Sequence, residues 1–393
     1  MSAIHLNELG IVCALGSGVD VVARALFAAD AARGIAPNDR VMPGRTLMLG
    51  AVDAALPNLH DCPTQLQGRN NALLAAALAQ IETAVAAAIA RFGPSRVAVV
   101  LGTSTSGVGE SEAAHRARRG RGQWPATFHY AQQEMGTGAA FAARATGCHG
   151  PAYTISTACS SGAKALATGA RLLNAGLVDA VIAGGADSLC AFTVAGFSAL
   201  GAVSAARCNP FSRHRDGINI GEGAAVFLMS RQPGPVRLMG WGESADAHHM
   251  SAPDPSGAGP ERALREALQR GGVRADEIDY VNLHGTATQQ NDAMEAGVVS
   301  RLLGAVPASS TKPLTGHALG AAGAIEAAFC WMALARNPTH ALPPHWWDGE
   351  ADPAIAALNL VAPGTRAARP LRHVLSQSFA FGGSNAALLL GAA

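Results

Sequence analysis

The stretch Thr154–Leu166, TISTACSSGAKAL, sets one cysteine, Cys159, between a β-favouring run and a chain of small residues with helical character. A thiol placed where a strand turns into a helix meets the unpaired amides and the dipole of the helix start, which favour thiolate over thiol. Ser160, Ser161 and Gly162 add little bulk, so a backbone amide beside the sulfur has room to bind an oxyanion. The ordinary fate of a cysteine in an apolar segment is a structural one. For the other six cysteines that reading holds, and for Cys159 the strand–cysteine–helix context favours a nucleophile.

Outward from this point, apolar β-type runs alternate with alanine-rich helical patterns. Asn70–Gly93, NNALLAAALAQIETAVAAAIARFG, reads as one helix closed by Gly93 and Pro94, and Arg96–Thr105, RVAVVLGTST, as the buried strand after it. Such alternation predicts a layered, largely parallel α/β architecture. Two pairs of segments echo each other. GINIGEGAAVFLMS (217–230) resembles FAFGGSNAALLLGA (379–392), and ACSSGAKALATGARLL (158–173) resembles TGHALGAAGAIEAAFC (315–330). The echoes suggest a duplicated half with a boundary near Arg231–Pro235, dividing the chain into 1–232 and 233–393.

Composition narrows the function. Hydrophobic residues make up 49% and charged residues 15% of 393, which predicts a sizeable core and not disorder. The 29 basic and 28 acidic side chains leave a net charge of +1, so no global field draws the chain to nucleic acid or an anionic membrane. The seven cysteines form no CxxC pair and the N-terminus carries no basic-then-apolar leader, as expected of a reduced cytoplasmic protein without disulfides. The longest uncharged run, Ser188–Ala206, is only mildly apolar and reads as a core or subunit-contact segment, not a membrane span.

A nucleophile needs partners. Asn282–Asp292, NLHGTATQQND, places His284 just after a strand with Thr286 and Thr288 close by. Ser310–Ala328, STKPLTGHALGAAGAIEAA, places His317 at the opening of a second small-residue helix. Each histidine alone is commonly structural; together with Cys159 they are candidates for one pocket. Lys312 and Glu326 are charges in apolar surroundings, expected to pair or to contact the histidines. In Ser376–Leu390, SQSFAFGGSNAALLL, paired glycines allow close backbone approach, so the Phe381 amide is a candidate for the second half of an oxyanion hole with that of Cys159. The turn-rich loops 213–223 and 248–261 are candidate site walls.

In order along the chain, TACSSGAKAL, NPFSRHRDGINIGEGAAVFLM, NLHGTAT, STKPLTGHALGAAGAIEA and SFAFGGSNAALLL resemble the β-ketoacyl-acyl carrier protein synthases, the elongating condensing enzymes of fatty acid and type II polyketide synthesis. The resemblance covers nearly the whole chain. It implies the thiolase fold, with two βαβαβαββ halves in a five-layer αβαβα arrangement. It also implies that Cys159 carries the acyl chain as a thioester while His284 and His317 promote decarboxylation of a malonyl group on acyl carrier protein. By the same resemblance Thr286 and Thr288 hold the phosphopantetheine arm, Lys312 and Glu326 support the catalytic histidine, and Phe379 and Phe381 form an aromatic gate. No metal or redox cofactor is implied, and the substrates arrive on the carrier's phosphopantetheine.

Gln289 stands where many relatives have proline. ELGIVCALGSG, GRNNALLAAALAQIETA and NDAMEA look closer to the aryl-polyene branch, which implies conjugated polyenoyl substrates. The family pairs across the strand into the nucleophile, here Tyr153–Thr157, as a homodimer or with a chain-length-factor-like relative. Arg116, Arg118, Arg119 and Arg121 fall near where relatives dock the acidic carrier, against a plain solvated loop as the alternative. The competing functions are a thiolase-type acyltransferase, which would use a second cysteine as base, and a Cys–His thioester hydrolase.

Overall fold

The computed structural model describes residues 3–393. Five strands of the first half are β1 (His5–Cys13), β2 (Val97–Gly102), β3 (Ala152–Ile155), β4 (Ala180–Asp187) and β5 (Gly223–Ser230). Five of the second are β6 (Val236–Ala245), β7 (Tyr280–Asn282), β8 (Pro307–Ser309), β9 (His373–Ala380) and β10 (Ser384–Ala392). From its edge inward the first half runs β3-β2-β4-β5-β1 and the second β8-β7-β9-β10-β6, with the two-residue strand Asn359–Leu360 paired parallel outside β8 as the outer edge. In both, the order is third, second, fourth, fifth, first. The pairings repeat as well: β2 lies parallel to β3 and β4, β7 parallel to β8 and β9, and the remaining pairs are antiparallel. The two sheets join where His5–Leu6 of β1 pairs with Val236–Arg237 of β6.

The period-2 alternation of each strand sends its side chains into two cores. Val97, Val99 and Leu101 of β2 face outward onto helices α1 (Arg69–Ala79), α2 (Glu82–Phe92) and α4 (Thr137–Thr146), whereas Ala98 and Val100 face inward. On β10, Ala387 and Leu389 face outward onto α7 (Ala258–Gly271) and α8 (Gln289–Leu303), and Ala386, Leu388 and Leu390 face inward. Both inner faces close on one core built around α5 (Ser161–Asn174) and α9 (Ala322–Ala335). The result is the thiolase-fold layering: helices, sheet, two central helices, sheet, helices. Helices α3 (Val108–Arg121) and α6 (Ala191–Ala199) lie at the periphery.

Small residues let the central pair approach. A Cβ on Gly162 of α5 would lie 2.8 Å from the Ala324 nitrogen of α9, and one on Gly323 would lie 2.9 Å from the Ala163 nitrogen. The contact therefore excludes a side chain from both helices at the matching place.

One expected element is divided. The predicted single helix 70–93 is two, α1 and α2, bent by 74° at Gln80 and Ile81. The Gln80 amide explains the break: Oε1 accepts from the Ile11 N–H at 2.9 Å and Nε2 donates to the Ile11 carbonyl at 3.0 Å, so the bend is stitched to β1. Among the described residues no single helix is long and apolar enough to cross a membrane. All seven cysteines are free.

Candidate active site

Cys159 lies in the turn between β3 and α5. Ala158 before it holds a left-handed φ of 51°, which costs a residue with a Cβ about 1–2 kcal/mol and turns the chain sharply onto the sulfur. The helix begins two residues later than the sequence suggests, at Ser161 with Ser160 as its cap. The sulfur is therefore not the first helical group, and the expectation of a resting thiolate needs correction. Burial pushes the Cys159 thiol up to about 12, outweighing the Lys312 charge and the Phe381 N–H that donates to the sulfur, both of which lower it. At rest the nucleophile is a thiol.

The fold brings the three sequence candidates together. His317 Nε2 lies 3.0 Å from Cys159 Sγ, and the His284 and His317 ring centroids are 5.3 Å apart in an edge-to-face arrangement. The sulfur and the two imidazole nitrogens all lie within 4.8 Å of one another, and each residue is at most 5% exposed. They are soft donors of the kind zinc takes, but the Lys312 ammonium 3.5 Å from His284 Nδ1 opposes another cation there.

Each imidazole is held by its backbone. The His317 N–H donates to the Asn219 carbonyl at 2.6 Å and its carbonyl accepts from Gly221 N–H at 2.9 Å, both on loop 213–223. His284 and Gly285 donate their N–H groups to the two Glu295 oxygens at 2.7 Å each. Gln377 Nε2 also donates to Glu295, at 2.8 Å. Lys312 Nζ donates to the His284 carbonyl and pairs with Glu326 at 2.5 Å, with both charged side chains buried. An ammonium beside Nδ1 requires that nitrogen to present its lone pair, so the His284 proton sits on Nε2 and points into the site. Burial first and the Lys312 charge second hold both histidines well below the ordinary 6.5.

The cavity above these groups has a volume of about 370 Å³. Thr286 and Thr288 line it, their hydroxyls 2.9 Å apart, as do Phe379 and Phe381. Phe379 sits 6.1 Å from the His284 ring, while Phe381 meets Phe197 of α6 at 5.5 Å with the rings tilted by 35°. Both turn-rich loops contribute walls, through Asp216–Ile218 and through Ser251–Pro253. Gln289 takes the first position of α8, where proline is favoured, and its side chain donates to the Arg215 carbonyl at 2.7 Å. Arg116, Arg118, Arg119 and Arg121 are exposed on α3 and do not line the cavity. Arg118 stacks on Trp124 at 4.5 Å, and Arg116 reaches Glu112 at 3.8 Å.

Three acidic residues escaped the sequence reading: Asp187, Asp292 and Glu295. Asp292 accepts from the Phe211 N–H at 2.8 Å and the Ala287 N–H at 3.2 Å, fixing the threonine loop. The available signal for Asp292 and Glu295 was their i, i+3 spacing on the first two turns of a helix, beside the histidine loop.

A buried thiol facing two neutral imidazoles, at the seam of a duplicated five-layer fold, defines an acyltransferase of the condensing-enzyme class. The comparisons carry this to a family. Residues 65–233 match the β-ketoacyl synthase N-terminal domain and 236–345 its C-terminal domain. The chain is 38% identical over 264 residues to 3-oxoacyl-[acyl-carrier-protein] synthase 2 of Rhizobium meliloti, 61% of each chain. It is 36% identical over 363 residues to a putative polyketide β-ketoacyl synthase 1 of Streptomyces cyaneus, 85% of each. It also matches the Xenorhabdus doucetiae ketosynthase ApeO, solved in complex with its chain length factor ApeC. There the TM-score is 0.93 at 45% identity, covering 100% of this chain and 98% of that one. The chain belongs to the β-ketoacyl synthase family.

Proposed function

We propose that this chain is the ketosynthase of a ketosynthase–chain length factor pair, extending carrier-bound acyl chains of the aryl-polyene type by decarboxylative Claisen condensation. The observation that carries this reading is the 3.0 Å contact of His317 Nε2 with the Cys159 sulfur, with His284 in the same closed chamber. Acyl transfer begins as the thiol gives its proton to His317 and the sulfur attacks the carrier thioester. The carrier thiolate leaves with that proton, and His317 then moves its remaining proton from Nδ1 to Nε2, so that both imidazoles present an Nε2–H in the second half-reaction. The acyl oxygen, negative in the transition state, is met by the Cys159 and Phe381 amides.

A malonyl thioester then enters, its arm held by Thr286 and Thr288. Loss of CO2 leaves an enolate, which neutral Nε2–H donors of His284 and His317 stabilise as its charge develops. Its carbon attacks the Cys159 thioester, releases the thiolate and yields the β-ketoacyl carrier, two carbons longer; the thiolate then takes up a proton. Each step uses this chain's own groups, so the reading requires neither metal nor redox cofactor. A thiolase reaction is disfavoured because no cysteine replaces His317 or stands in the terminal glycine-rich segment. Hydrolysis is disfavoured by burial of the nucleophile.

The partner proposal draws support from the likeness to ApeO and to the ishigamide ketosynthase/chain length factor, at 27% identity and TM-score 0.87 over the whole chain. Strand β3 forms one free edge of the sheet, available for pairing with a homodimer mate or a chain-length-factor-like relative. The acidic acyl carrier protein is assigned to the exposed arginines of α3. We take the halves as 1–232 and 233–393, supported by the repeated strand order, and the compartment as cytoplasmic, consistent with seven free cysteines.

Intact-mass analysis of Cys159 after incubation with carriers bearing saturated or polyenoyl groups tests the proposal. The polyenoyl adduct should form faster, and absence of any adduct would defeat the reading. The depressed histidines give a second test. Both are neutral above their lowered values, so malonyl decarboxylation should stay level from pH 8 down past 6.5. A rate halved near pH 6.5, as an ordinary histidine would give, speaks against two neutral donors.

A further inference from the structure

Asp187 ends β4 with its side chain wholly buried. It accepts from the Thr103 hydroxyl at 2.5 Å, the Ser104 hydroxyl at 2.6 Å and the Thr105 hydroxyl at 2.8 Å. The Ser104 N–H reaches its two oxygens at 2.9 and 3.0 Å, and the Thr105 N–H approaches at 2.9 Å. All these donors lie on the loop after β2, in the first half of the chain. One more crosses from the second half: the Gly320 N–H, at 2.6 Å. Every donor is neutral, so the carboxylate is held by a convergent shell of dipoles in place of a counter-ion.

Gly320 stands three residues beyond His317. Between them Leu319 holds a left-handed φ of 49°, a strained state that persists only where the surroundings enforce it. Loop 213–223 anchors the turn at His317 itself, and Asp187 anchors it at Gly320. The seat is tight, since a Cβ on Gly320 would lie 2.6 Å from the Ser104 nitrogen and 2.8 Å from Asp187 Oδ2.

We propose that Asp187 is a positioning residue for His317: by locking turn 317–320 onto loop 103–105 it aims Nε2 at the Cys159 sulfur across the seam between the halves. The inference deepens the condensing-enzyme reading and rests on it. Its negative charge also adds to the forces that keep Cys159 a thiol, so sulfur chemistry depends on the histidine as base.

The experiment compares Asp187→Asn and Gly320→Ala with the unmodified chain, following acyl loading of Cys159 by intact mass from pH 6.5 to 8.5. Asp187→Asn removes the acceptor and Gly320→Ala pushes the same contact apart sterically. With His317 aimed, loading draws on the imidazole and stays level with pH. With it displaced, only free thiolate reacts. Loading at pH 7 should then fall about 10- to 100-fold and rise about tenfold per pH unit. Cooperatively folded variants whose profiles stay level, at the native rate or uniformly reduced, overturn the proposal.

If Asp187→Asn does not fold, Thr103→Val, which deletes one hydroxyl at nearly constant shape, should give the same change of slope with a several-fold loss. Iodoacetamide alkylation of Cys159 reports the same slopes without any acyl substrate. An unmodified chain that alkylates with a level profile but accepts no acyl group defeats the condensing reading, while the variants' alkylation slopes still decide the role of Asp187.

Discussion

Cys159→Ala should abolish acyl loading and condensation, lowering turnover by more than about a thousandfold, because the methyl group cannot form the thioester on which the second half-reaction depends. The variant should fold normally, since alanine fits any space the thiol occupied. Cys159→Gln should behave differently. Its carboxamide imitates the acylated sulfur, placing a carbonyl near the Cys159 and Phe381 amides and leaving His284 and His317 in place. Malonyl decarboxylation without condensation should therefore rise, by about tenfold or more, while acyl loading stays at zero. Carbon dioxide release and intact mass measure the two outcomes separately. Elongation at the native rate by Cys159→Ala would show that the sulfur is not the acyl carrier.

Lys312→Met should damage both stability and chemistry. Lys312 and Glu326 form a buried pair, and removal of one partner leaves the other uncompensated, which typically costs about 3–5 kcal/mol. For a chain of this length that corresponds to a fall in melting temperature of about 5 °C. Burial already pushes the Glu326 carboxyl up, and loss of the ammonium would drive it further toward the neutral acid. The same substitution removes the group 3.5 Å from His284 Nδ1 that fixes its tautomer, so decarboxylation should fall steeply. The double variant Lys312→Met with Glu326→Met separates these effects. An apolar pair of similar volume should recover the melting temperature but not the decarboxylation rate. Recovery of both would mean that the pair serves stability alone.

The contrast between these residues marks how far the sequence could be read. Cys159, His284 and His317 were legible because each lies in a short segment whose residue types, a nucleophile or base amid small side chains next to a strand or helix, carry chemical meaning locally. Lys312 and Glu326 were legible because an isolated charge in an apolar run must find a partner. The duplication showed as two weak echoes, and its proof lies in the identical strand order of the halves, which depends on pairings between distant segments. The helix break at Gln80 was hidden because its cause is a contact with Ile11, 69 residues away. Asp187 was hidden for the same reason: in the sequence it is only the residue that ends a strand.

The sequence by itself determined the period-2 strands, the small-residue helices that can pack closely, and the three side chains able to carry the chemistry, because propensity, volume and reactivity are properties of residues and their near neighbours. Only the tertiary structure decided the state of those side chains. Burial makes the sulfur a thiol and the imidazoles neutral, and the Lys312 ammonium selects which His284 nitrogen holds the proton. Desolvation and charge act through space, with strengths set by distances that the chain acquires only when its two halves close on each other.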